Sequence, residues 1–245
     1  MANGIANQRF HGAGVVDYDE RMPRRVPGYD LLHLLTAAQA VERLPEQAHV
    51  LVVGAGTGHE VLRLANLCPG WRFTATDVSG DMLALAHQKF LDAGIAHRVR
   101  IHLGGLDSLP PGPPHDAALL ILVAHFVPAG GKQPLLDGIA VCLRPGALLL
   151  TADLMAEADA WERPAHKRAT MLLGLTDEAA DAVLRGFRED FHPLDEPGLR
   201  AWLEASGFSA PTAYFRSLGF GAFASTYGGA ASLAPAPHGT NDGGT

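Results

Sequence analysis

Gly54, Gly56 and Gly58 follow directly on the apolar run of residues 50–53, and a carboxylate, Asp77, ends a second apolar run nineteen residues after the last of them. Closely spaced glycines let backbone approach a ligand that any Cβ would exclude, and the helix start that follows presents unpaired N–H groups to negative charge. Such a loop can hold an anionic or carboxylate-bearing group. An acid at the carboxyl edge of the neighbouring strand is placed to accept both hydroxyls of a ribose. The two features together imply a nucleoside. A dinucleotide fingerprint needs G-x-G-x-x-G/A, with a small residue where this chain has His59, so the spacing excludes that form. His125, just past a later apolar run, is the group best placed at the same edge to take a proton; the alternative is a helix-start histidine bonded to backbone.

These residues need a scaffold, and the chain alternates in the way that builds one. Short β-branched or leucine-rich runs interchange with helical patterns over residues 49–153, with helices expected at 60–67, 81–93 and 132–143. That rhythm predicts a parallel sheet covered on both faces, an α/β fold. Residues 1–48 form an N-terminal part that is polar and irregular to residue 27, followed by a helical lid over 29–44. Residues 154–193 break the rhythm with two charged amphipathic helices, over 159–173 and 176–190, expected as an insertion over the strand ends. Residues 194–225 return to the core with a helix at 196–206 and two strands, the last antiparallel. Residues 226–245 are rich in Gly, Ala and Pro and are expected to be a disordered tail.

With 245 residues, 47 % of them hydrophobic and 18 % charged, the chain can bury a sizeable core. No apolar stretch reaches the length of a membrane span and the start lacks a signal peptide's apolar centre, so no membrane partner and a cytoplasmic location are expected. A formal net charge of −7 weakly disfavours nucleic acid. Cys68 and Cys142 read as buried thiols. The histidine spacings, such as His97 to His102, match no compact ligand motif, and no metal is expected. Arg21, Arg24 and Arg25 form the one basic cluster, a solvated surface or a grip on an acidic substrate. Tyr18, Trp161, His166 and His192 are candidates to line a cavity under the insertion, and the apolar lid could support a homodimer.

The ordered series of Gly54-Ala-Gly-Thr-Gly58, Asp77, the turn at 104–110, the run at 116–123 and Leu143-Arg-Pro-Gly-Ala147 resembles the motifs of class I S-adenosylmethionine (SAM) dependent methyltransferases. Arg25-Val-Pro-Gly-Tyr-Asp30, Thr76-Asp-Val-Ser-Gly-Asp-Met82 and Tyr214-Phe-Arg-Ser-Leu-Gly-Phe-Gly221 are similar to segments of the carboxy-SAM synthase branch, which serves tRNA wobble-uridine modification. The similarity spans most of residues 18–225. It implies a Rossmann-like fold with a seven-stranded, mostly parallel sheet, and SAM as the cofactor. It also implies cofactor contacts at Tyr29, at the loop Gly54, Ala55, Gly56 and Gly58, at Asp77 and Val78, and at Gly105 and Leu106. The pattern departs from the family at Val52, where an acid is usual, and at Gly105, with Asp107 one register away able to replace its aspartate. It departs also at Ile121, which leaves only backbone to contact the cofactor, and at Leu184, where the carboxy-SAM branch has an arginine. The Asn/Asp-Pro-Pro-Tyr/Phe tetrad of amino-methylating enzymes is absent after the fourth strand, which reads Ile121-Leu-Val-Ala-His125.

The activity implied is methyl transfer to a small-molecule acceptor whose identity is set by the lid and the insertion. His125 is then the candidate catalytic base, needed where the attacking atom must lose a proton. A carboxy-SAM synthase-like enzyme and a non-catalytic SAM-binding protein are the alternatives.

Overall fold

The computed structural model describes residues 10, 12–156 and 161–229. Seven strands, β1 (His49–Val53), β2 (Arg72–Asp77), β3 (Val99–Leu103), β4 (His115–Ile121), β5 (Leu143–Leu154), β6 (Thr212–Ser217) and β7 (Phe220–Thr226), form one sheet in the order β3-β2-β1-β4-β5-β7-β6. The first five run parallel, and β7 lies antiparallel to both β5 and β6. The strand order reverses beside β1, the place where open α/β sheets leave a crevice at their carboxyl edge.

Alternate residues of each central strand pack on opposite sides, and both sides are dry. Val50, Val52, Phe73 and Leu119 join Leu32, Leu64 and Phe90 from α3 (Tyr29–Arg43), α4 (His59–Leu67) and α5 (Gly80–Asp92). Leu51, Val53, Leu120 and Leu149 join Leu136, Ile139 and Leu203 from α6 (Ala129–Val141) and α9 (Glu196–Ala205). Two covered faces explain why the strands read as continuous apolar runs.

The expected helices stand within a few residues of their expected ends, because caps mark them. Ser79 accepts from Met82 N ahead of α5, and Thr176 accepts from Ala179 N ahead of α8 (Asp177–Glu189). The other helix of the insertion, α7, runs Glu162–Leu172, and residues 159 and 160 of its expected span lie outside the described residues.

Three expectations change. The stretch before residue 27, expected to be irregular, holds α1 (Ala13–Val16) and α2 (Tyr18–Arg25). α2 contains Pro23 and no apolar period, so only its charge order speaks for a helix, with Asp19 and Glu20 in the first turn and Arg24 and Arg25 in the last. The first residues of the expected tail are ordered: Thr226 ends β7 and Tyr227 is buried against Phe208, and residues 230–245 lie outside the described residues. Cys68 and Cys142 are free thiols but half-buried, each sitting just past a helix end and not within its packed face. Among the described residues no helix is long and apolar enough to cross a membrane.

Candidate active site

The parallel strands bring four chain segments to one edge. β1 runs out into the glycine loop, β2 ends on Asp77, β4 leads to a short helical turn at Ala124–Phe126, and Asp153 stands one step past the Ile121–Ala152 pairing of β4 and β5. Gly56 has φ +52° and nothing within 4 Å of where a Cβ would stand, so its backbone is open to a ligand. Gly58, at φ +82°, is glycine for another reason: a Cβ there would meet Phe90 at 2.5 Å.

Asp77 fastens the loop to β2. Its Oδ2 accepts Gly56 N at 2.8 Å and its Oδ1 accepts Ser79 N at 2.8 Å. Burial pushes the Asp77 carboxyl up, against the pull of the Ser79, Gly56 and Val78 N–H groups. Val78 beside it is exposed. Beyond β3, Gly105 precedes a short turn at Leu106–Ser108, and a side chain at 105 would come within 2.5 Å of Asp107 Oδ1. The Asp107 carboxylate thus stands where an acid at 105 would project. Ile121 is buried at the end of β4. Tyr29 is buried in the lid, its ring 4.3 Å from that of His33 and 5.6 Å from that of His59, in a packing position.

A cavity of about 710 Å³ opens beside this edge. Phe10, Phe126, Phe187, Phe191 and Phe220 contribute aromatic rings to its wall, α2 contributes Tyr18, Arg21, Arg24 and Arg25, and α8 contributes Val183, Gly186 and Phe187. His125 lines it and is only 5 % exposed. Its Nδ1 is in direct contact with Asp153 Oδ1, its ring lies 4.1 Å from Phe126 and 4.7 Å from Phe191, and its carbonyl accepts His192 N at 2.7 Å. The carboxylate can only accept, so Nδ1 carries the hydrogen and Nε2 is the basic nitrogen left for the cavity.

Tyr18 joins the two regions. It lines the cavity, while burial and the fields of Glu60, Asp77 and Asp19 hold its phenol well above the usual range. Asp19, next along α2, accepts the Thr57 hydroxyl of the glycine loop at 2.5 Å and pairs with Lys89. Ser79 donates to Phe10 O at 2.6 Å, which holds the N-terminal segment on the same edge. Glu60, in the first turn of α4, is pushed up to about 7 by burial and lies 3.4 Å from His33 Nδ1, which burial pushes down to about 3. Asp77 and the Lys89-paired Asp19 thus bond the glycine loop, while burial pushes Glu60 toward its neutral form.

Of the other cavity candidates, Tyr18 and the arginines line it. His166 is buried against Phe187 and Phe220, and Trp161 is exposed. Leu184 is buried and Arg185 is exposed, and neither lines the cavity. Asp153 and Glu60 escape the sequence reading. An acid ending the apolar run at 148–152 is the signal that could have found Asp153, since it sits at the carboxyl edge beside β4. Among the described residues no three His, Cys, Asp or Glu side chains are grouped to hold a metal ion.

Residues 51–149 match the family model described as a methyltransferase domain. No curated protein matches the chain. Solved structures do. The SAM-dependent methyltransferase SibL aligns at TM-score 0.62 with 19 % identity, covering 90 % of this chain and 64 % of that one. Human N-acetylserotonin methyltransferase, solved with SAM, gives 0.64 and 16 %, covering 93 % and 60 %. Magnesium protoporphyrin IX methyltransferase from Synechocystis PCC 6803, solved with bound SAH, gives 0.64 and 16 %, covering 93 % and 100 %. The chain thus spans about three-fifths of the length of the first two. The family match over residues 51–149 and the solved structures agree on one architecture, the Rossmann-like fold of class I methyltransferases.

Proposed function

We propose that this chain transfers a methyl group from SAM to a hydroxyl of a small, largely apolar acceptor. The observation that carries the reading is the His125–Asp153 pair, whose histidine lines an aromatic cavity that shares Tyr18 with the glycine-loop edge. The glycine loop, Asp77 and the Gly105–Asp107 turn would hold the nucleoside. When bound, SAM supplies a methyl group already activated by a sulfonium.

The chain's own residues then have three tasks. The phenylalanine wall keeps water out and fixes the acceptor's plane, and such positioning contributes roughly 7 to 11 kcal/mol to a bimolecular step. His125 Nε2 takes the hydroxyl proton, which an oxygen nucleophile must lose. Asp153 keeps the imidazole in the Nδ1–H tautomer and stabilises it once it is protonated. An oxygen acceptor is favoured because a hydroxyl keeps its proton at neutral pH and so needs a positioned base such as this buried pair.

The test is incubation of the purified chain with SAM and a panel of aryl and alkyl hydroxyl compounds, with S-adenosylhomocysteine and methylated product read by mass spectrometry. Both form with at least one hydroxyl acceptor, and both are lost in His125→Gln. SAM binding without turnover would instead support a binding protein, and carboxy-SAM formed in the presence of prephenate would support the carboxy-SAM synthase reading.

A further inference from the structure

Phe10, Phe126, Phe187 and Phe191 are only half-buried, and each lines the cavity that holds His125. Apolar surface left open inside a concave site is surface for an apolar occupant to cover. The rings also stand in an order. The His125 ring lies 4.1 Å from Phe126 and 4.7 Å from Phe191, Phe187 follows 5.6 Å from Phe191, and Phe220 follows 5.9 Å from Phe187. The row therefore leads from the histidine toward α8 and the start of β7. Charge does not compete with it as a selector. Arg21, Arg24 and Arg25 line the cavity together with Asp17, Glu20 and Asp190, and three groups of each sign call for neither an anion nor a cation.

We propose that the acceptor is a flat arene of several fused rings with its hydroxyl at one end, and that Phe187 selects for its length. A single-ring phenol held at His125 meets Phe126 and Phe191, and it leaves Phe187, Phe220 and most of a space of about 710 Å³ to water. Further rings fused to the phenol carry it along the row. The wall also favours an arene over a saturated ring system of the same size. Phe126 stands at 89° to Phe10 and 79° to Phe191, and Phe187 stands at 88° to Phe220, so edges and faces alternate along the row. An arene has a negative face and a positive edge and can meet both, whereas a saturated ring carries no such quadrupole. The placement of the hydroxyl rests on the proposed methyl transfer at His125, but the test reads binding alone, so the two fail separately.

That test is calorimetric titration of the full chain with phenol, 2-naphthol, 2-hydroxyanthracene and the saturated decahydro-2-naphthol. Affinity is expected to rise from one ring to three, and 2-naphthol is expected to bind about tenfold more tightly than its saturated counterpart. Phe187→Leu keeps an apolar side chain and removes the ring. It should weaken 2-hydroxyanthracene about tenfold and leave phenol within about twofold, and Phe187→Tyr should restore the parent's preference. If Phe187→Leu fails to fold, the comparison of 2-naphthol with decahydro-2-naphthol on the parent carries the test. Equal binding of those two, or a Phe187→Leu chain that weakens phenol and 2-hydroxyanthracene alike, overturns the proposal. Length-selective arene binding without methylated product supports it and contradicts the transfer reading alone; methylation of phenol in preference to the larger arenes overturns it and leaves the transfer reading standing.

Discussion

His125 Nδ1 and Asp153 Oδ1 meet across the ends of β4 and β5, and the same aspartate oxygen accepts the backbone N–H of Leu154 at 2.9 Å. Asp153 is thereby tied to its own strand while it holds a ring carried by the neighbouring segment. Replacing His125 by Gln should keep the volume and the fold and lower kcat by about 10²–10⁴, the range of a positioned base. Asp153→Asn should lower it less and leave KM for SAM within about twofold, because the aspartate acts through the ring. Steady-state kinetics with the best hydroxyl acceptor of the panel would check both, and a KM for SAM that moves with kcat would contradict the assignment.

Gly56 and Gly58 separate ligand binding from folding. An alanine at 56 meets no atom but must adopt a positive φ, so it should cost about 1–2 kcal/mol of stability while its methyl group obstructs the ligand's approach. An alanine at 58 adds a clash with Phe90 and should cost about 2–4 kcal/mol. Urea denaturation together with SAM calorimetry distinguishes them. Gly56→Ala should lose at least tenfold in affinity from a fold that remains intact.

Glu60 gives the stability a pH dependence of known sign. Burial pushes its carboxyl from 4.5 up to about 7, so between those values the folded chain holds a proton that the unfolded chain has released. Its contribution is complete below pH 4.5 and is lost as pH rises through 7. His33, pushed down to about 3 by burial, acts in the opposite sense: it stays neutral in the fold, and its contribution is lost as pH falls from 6.5 toward 3. Comparing the parent with Glu60→Gln by denaturant unfolding at pH 5 and pH 8 isolates the first effect. The parent should lose up to about 3 kcal/mol relative to the variant over that interval. A constant difference would show that Glu60 is not held neutral.

Legibility in the sequence followed the range of the interactions. The glycine loop and the alternation of runs depend on local spacing, so the sheet and its order of elements could be read directly. The bond from Gly56 N to Asp77 follows from the same parallel order, which sets the ends of β1 and β2 side by side. Asp153 was not legible, because its partner is 28 positions away and the pair exists only once β4 and β5 are neighbours. Lys132 reads as an ordinary surface charge on a helix, and its burial beside Trp202, with Nζ bonded to Ala124 O, exists only in the folded chain. Tyr29, which the family resemblance places at the cofactor, has its ring beside His33 and His59, and the contact with His59 spans elements distant in sequence. α2 was missed because Pro23 and the lack of an apolar period argue against a helix, while its stability comes from contacts such as Asp19 with Thr57 and Lys89.

The most direct test of the cofactor edge is calorimetric titration of SAM, S-adenosylhomocysteine and NADH into the purified chain and into Asp77→Ala. Asp77 accepts Gly56 N and Ser79 N, so its loss removes the anchor of the loop together with the ribose contact proposed for it. Saturable binding of SAM and S-adenosylhomocysteine to the parent, no heat with NADH, and at least a hundredfold weaker SAM binding by a folded Asp77→Ala is the expected result. SAM binding that survives the substitution unchanged, or saturable binding of NADH in its place, would contradict it.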